Sequence, residues 1–89
     1  IMFDSKKESS RYLDLKLLER VGEIKNLELQ PKYDFVINDI KICTYRADFR
    51  YEDKKGNLIV EDVKGYKTSM YRLKSRMMQA FHGITIKET

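Results

Sequence analysis

Between Lys41 and Lys64 two strand-like runs flank a polar connection containing Gly56 and Asn57, and a helical segment and a final extended stretch follow them. Alternation from Lys41 to about Tyr51 puts Cys43, Tyr45, Ala47 and Phe49 on one face and Thr44, Arg46, Asp48 and Arg50 on the other. Leu58 to Lys64 is the returning strand. Leu58, Val60, Asp62 and Lys64 share one of its faces, and Ile59, Glu61 and Val63 the opposite one. A helix is expected from about Ser69 to His82, with Thr68 as N-cap and Gly83 as the stop. Ile84 to Lys87 then reads as a strand. Strand, helix and strand within this length fit a parallel crossover, so the sheet they build is mixed.

Upstream, Ser5 with Glu8 three residues later has the capping-box spacing, and the first helix is expected from Lys6 to Val21, with Gly22 ending it. Tyr12, Leu15 and Leu18 form its apolar stripe, flanked by Leu13, Leu17 and Val21, which predicts a broad buried face. Leu27 to Gln30 and Tyr33 to Ile37 read as extended segments broken by Pro31, and Asn38-Asp39 as a turn. The expected class is α/β in the α+β sense, a mixed sheet with helices against it, in the order α-β-β-β-α-β.

At 89 residues the chain makes one domain with a small core. Dimerisation would cover what one subunit leaves exposed. The composition, 42% hydrophobic and 36% charged, fits a globular domain rather than a disordered tail. A net charge of +4 favours a polyanionic partner, although many soluble domains carry as much with no nucleic acid to bind. Cys43 is the sole cysteine, which excludes an intrachain disulfide and a thiolate zinc site and points to a reducing, cytoplasmic setting. No stretch has the length of a membrane span, and no membrane partner is expected. Because the chain begins at Ile1 and enters a helix almost at once, its N-terminus is expected to be truncated.

The acids on the two strands are the candidate chemistry. Asp48 and Asp62 on neighbouring antiparallel strands can face one cleft. Residues two apart on a strand are about 6.6 Å apart, so Lys64 lies beside Asp62. Magnesium is usually held by one or two carboxylates together with substrate phosphate. A lysine next to the second carboxylate can orient or activate water and stabilise charge at phosphorus. A plain surface ion pair would explain either acid with Lys64 taken singly. Glu61, on the opposite face, is expected to form a salt bridge with a helix lysine or arginine, unless a bulge turned it into the ligand in place of Asp62.

Asp48 followed by Asp62-Val63-Lys64 at the end of a hydrophobic strand resembles the PD-(D/E)XK motif of restriction-endonuclease-like nucleases. Phe3-Asp4-Ser5-Lys6-Lys7-Glu8, Gly22-Glu23-Ile24-Lys25-Asn26-Leu27, Tyr45-Arg46-Ala47-Asp48-Phe49 and Glu61-Asp62-Val63-Lys64-Gly65 resemble, more narrowly, a family of small phage and prophage proteins. That family was long catalogued as a domain of unknown function and is regarded as nuclease-like. The resemblance implies a Mg2+- or Mn2+-dependent DNA endonuclease, with Asp48 and Asp62 as metal ligands and Lys64 as the catalytic lysine. It also implies a homodimer acting on branched DNA such as a Holliday junction, in the cytoplasm of a phage-infected or lysogenic cell. The proline that often precedes the first acid is here Ala47. Many members of the broader fold add a glutamate from the first helix. Glu8 is the matching metal ligand, with helix capping as its competing role. The alternative is a non-catalytic nucleic-acid-binding module that keeps the fold, or a protein-interaction domain whose two acids point apart.

Arg46, Arg50, Lys67, Arg72, Lys74 and Arg76 are candidate phosphate contacts, with a solvated helix face an equally simple account of Arg72 and Arg76. Tyr66 and Tyr71 could stack on an unpaired base or simply pack. Gln30 is expected in a backbone hydrogen bond, and His82 suits the C-terminal end of a helix dipole. Met70, Leu73, Met77, Ala80 and Phe81 form the expected apolar side of the second helix.

Overall fold

The structure is a computed structural model that describes Phe3, residues 5–64 and residues 66–89. Asp4 and Gly65, which belong to two of the motif segments, lie outside the described residues, as does Ile1.

Helix α1 spans Lys6–Arg20, and the Ser5 hydroxyl accepts from the Glu8 backbone N–H at 3.1 Å, closing the expected cap. Gly22, at φ +83°, ends it, with Glu23 N–H donating to the Leu18 carbonyl at 2.9 Å. Six strands follow: β1 (Ile24–Leu29), β2 (Lys32–Ile37), β3 (Ile40–Arg46), β4 (Phe49–Asp53), β5 (Leu58–Asp62) and, after helix α2 (Ser69–His82), β6 (Lys87–Glu88). The main sheet has the order β1-β4-β5-β6, and β2 and β3 form a separate two-stranded sheet. β5 and β6 pair in parallel across α2, and every other pair is antiparallel. The class is therefore the mixed α+β one expected, with the helical crossover in its expected place.

The strand expected to run unbroken from Lys41 to Tyr51 is instead two, divided at Ala47-Asp48, and the face expected to be shared is split there: Cys43, Tyr45 and Ala47 pack in one core, Phe49 and Tyr51 in the other. β1 to β4 trace one long ribbon that folds back at Asn38-Asp39, both in the left-handed region. The ribbon bends where Gln30, at φ +53°, meets Pro31. Ala47 N–H donates to the Pro31 carbonyl at 3.1 Å, and Gln30 N–H to the Asp48 carbonyl at 2.9 Å. A proline thus lies beside the first acid after all, across the ribbon rather than before it in sequence.

The sheet is covered on both faces. Leu15, Ile24, Phe49 and Tyr51 pack with Tyr12, Leu18, Ile59 and Val63 on the α1 side. Phe35, Tyr45, Ala47, Val60, Tyr71, Met78 and Ile86 form the core on the α2 side. The buried face of α1 is narrower than its sequence implies, because Leu13, Leu17 and Val21 are 65%, 60% and 63% exposed. One helix on one sheet covers a single stripe, and that stripe follows Glu8, Leu15 and the half-buried Tyr12 and Leu18. In α2 the buried residues are Tyr71 and Met78, while Met70, Leu73, Ala80 and Phe81 are exposed. The Tyr71 hydroxyl donates to Glu88 of β6 at 2.8 Å, which sets this rotation of the helix.

Candidate active site

Asp62 is the last residue of β5, and with Val60 it faces the α2 side, as period-2 alternation requires. It is only 1% exposed. Its Oδ2 accepts a hydrogen bond from the Tyr45 hydroxyl on β3. Lys64 Nζ lies 3.2 Å from Oδ1 but off hydrogen-bonding geometry, so Oδ1 is a buried oxygen without a hydrogen-bond donor. The same ammonium stands 4.8 Å from the centre of the Tyr71 ring, whose π-face favours the cation.

Asp48 sits at the bend of the ribbon, opposite the end of β5. Its backbone N–H donates to the Glu61 carbonyl at 3.2 Å, and its Oδ2 accepts from Val63 N–H at 2.7 Å. Burial, followed by the neighbouring Asp48 carboxyl, pushes the Asp62 carboxyl up to about 7, against the opposing pull of Tyr45 and Lys64. Burial, then the bond to Asp62, pushes the Tyr45 hydroxyl upward, so it stays a donor.

Glu61 faces the other way and is fully buried. Arg11 of α1 grips it in a fork, Nε to Oε2 at 2.6 Å and Nη2 to Oε1 at 3.0 Å. The Tyr51 hydroxyl donates to Oε1 at 2.7 Å and the Thr89 hydroxyl to Oε2 at 3.1 Å. Burial opposes its charge, but the bonds from Arg11 and Tyr51 outweigh it and hold the carboxyl below the usual range. The helix salt bridge expected for Glu61 is this one, and β5 carries no bulge that would turn it toward Asp62.

Asp48, Asp62 and Lys64 are therefore brought together. Glu8 is buried on α1, yet among the described residues no group of three His, Cys, Asp or Glu side chains converges as a metal cage. Two carboxylates with one oxygen left over still suit a cation that takes its other ligands from water and phosphate.

Beside Asp62 opens a cleft of about 480 Å³, walled by Lys32, Arg46, Lys64 and Lys74 together with Tyr45 and Met70. Of the expected phosphate contacts, Arg46 and Lys74 lie here. Arg50 is turned away, held by Glu28 and by the Tyr33 hydroxyl at 2.9 Å. Lys67 pairs with Glu88 at 2.7 Å. Arg72 and Arg76 line a separate groove with Ser69 and Leu73. His82 places Nε2 3.1 Å from the Asp34 carbonyl oxygen.

Sequence reasoning missed Tyr45 and Lys32. A hydroxyl on the buried face of the strand next to an acid-bearing one was the available signal for Tyr45. Nothing local marks Lys32, because it reaches the cleft only through the bend at Pro31.

The fold and site together define a small mixed α+β protein with a buried carboxylate pair and a lysine at the end of a central strand. The chain belongs to the family described as protein of unknown function (DUF1064), whose model matches residues 1–87. No curated protein and no solved structure gives a significant match. No helix is long and apolar enough to cross a membrane among the described residues.

Proposed function

We propose that this chain is a metal-dependent nuclease of the PD-(D/E)XK type that hydrolyses phosphodiester bonds in DNA. One observation carries the proposal. Asp62 is buried beside a second carboxylate, and its Oδ1 accepts no hydrogen bond and has only the Lys64 ammonium, 3.2 Å away, to offset its charge, an arrangement that costs stability and that a metal ion between the two carboxylates would relieve. Asp48 and Asp62 would hold Mg2+ or Mn2+, which when bound supplies charge neutralisation at a phosphate and acidifies water. Tyr45 orients Asp62 by occupying Oδ2, and Val63 N–H does the same for Asp48. Lys64, beside Oδ1, would hold the attacking water and offset charge developing on the phosphate. The resemblance to phage and prophage proteins adds branched DNA, a homodimer and the cytoplasm of an infected or lysogenic cell to this reading.

The test is incubation of the protein with labelled duplex, flap and four-way-junction DNA in magnesium or chelator. We expect metal-dependent cleavage of at least one substrate. Asp62→Asn and Lys64→Ala should each lower it by about 10²-fold or more. Cleavage at the wild-type rate by either variant would place the chemistry elsewhere. The cation-lined cleft favours a second reading, a nucleic-acid-binding module that does not cut. Metal-independent binding with no cleavage of any of the three substrates would select it.

A further inference from the structure

The cleft beside Asp62 is continuous with the proposed site, because Tyr45 and Lys64 touch the Asp62 carboxylate and also line the cleft. No carboxylate side chain is among its lining residues. Lys32, Arg46 and Lys74 form no salt bridge among the described residues, unlike Lys16, Lys41, Lys54 and Lys67 elsewhere on the surface. Three cations without a neutralising acid, beside Lys64 on Asp62, suit phosphate oxygens. About 480 Å³ lies within the range of clefts that take one small ligand, roughly 300–1,000 Å³, which is room for a single unpaired nucleotide. Apolar contact for a base is present too. Met70, on the wall, is 59% exposed. An exposed apolar side chain on the wall of a basic groove gives an unpaired base a surface to pack against.

We propose that this cleft seats an unpaired nucleotide next to the phosphodiester to be cut, so that the substrate is DNA with an unpaired strand at the cutting point. The inference rests on the nuclease reading for its chemistry, but the seat itself is open to a separate test. In chelator, a fluorescein-labelled single strand and the matching blunt duplex are titrated with the full chain and followed by fluorescence anisotropy. We expect the single strand to bind about tenfold more tightly. Arg46→Ala and Lys74→Ala should each weaken single-strand binding about three- to tenfold. Lys54→Ala, which removes the same charge from a surface ion pair with Glu23, should change it less than twofold. Equal affinity for single strand and duplex overturns the inference, as does unchanged binding by both the Arg46 and Lys74 variants with circular dichroism confirming their fold. In magnesium, a flap should be cut and continuous duplex spared. Preferential single-strand binding with no cleavage removes the nuclease reading and leaves the seat. Cleavage of duplex and flap at equal rates removes the seat and leaves the nuclease.

Discussion

Asp62 and Glu61 are sequence neighbours with opposite environments, and their ionisation separates what serves stability from what serves function. The Asp62 carboxyl is held up at about 7, so between its ordinary value of 3.8 and about 7 the folded chain keeps a proton that the unfolded chain loses. Folding stability attributable to this group is therefore greatest in acid, falls as pH rises through that window, and is flat above it. Asp62→Asn removes the titration. Urea unfolding should find the variant more stable than wild type at pH 8, by about 2–4 kcal/mol, with the gap closing toward pH 4. Magnesium should narrow the gap at pH 8 by stabilising wild type alone. Glu61 has the opposite sign. Its carboxyl is held low, so its contribution is present above the ordinary glutamate range and is lost as pH falls through its lowered value. Arg11→Ala leaves that charge buried without its main partner and should cost about 3 kcal/mol at pH 7 in the same assay.

Helix ends were the most legible elements. Ser5 with Gly22 and Thr68 with Gly83 bracket the two helices within a residue of where their spacing places them, because capping is a bond between residues about three apart and needs no tertiary partner. Thr68 Oγ1 accepts from Tyr71 N–H at 3.1 Å, and Gly83 lies at φ +66° with open space around a Cβ. Thr68→Ala and Gly83→Ala should each lower stability by about 1 kcal/mol, and the double variant by the sum, measured by thermal unfolding. The long ribbon was the least legible element. Its alternation continues through Ala47 and Asp48 on paper, since Tyr45, Ala47, Phe49 and Tyr51 are all buried. What divides it is a partner distant in sequence, Pro31 opposite Ala47, which lacks an N–H for the ladder and follows a left-handed Gln30.

At the scale of the molecule, 89 residues cover the sheet yet leave apolar residues in solvent. Leu13 and Leu17 of α1 and Val21 at its C-cap follow one another at four-residue spacing, the spacing of a single helix face, and all three are more than half exposed. Such a face is the one two copies would bury if the proposed homodimer forms. Sedimentation equilibrium should find a dimer for the wild-type chain and a monomer for Leu17→Glu. The faces of β5, the helix limits and the pairing of Asp62 with Lys64 were already determined by the sequence, because periodicity and capping act over a few residues. The single face expected for Tyr45, Ala47 and Phe49 was not, since Phe49 crosses to the α1-side core after the bend. The tertiary structure alone decided which helix stripe is buried, where the ribbon bends, and that Tyr45 and Lys32 join Asp48 and Asp62 while Arg50 turns to Glu28. Each of those outcomes depends on which distant side chain or carbonyl is near enough to pack or to bond, and spacing along a single chain carries no record of that distance.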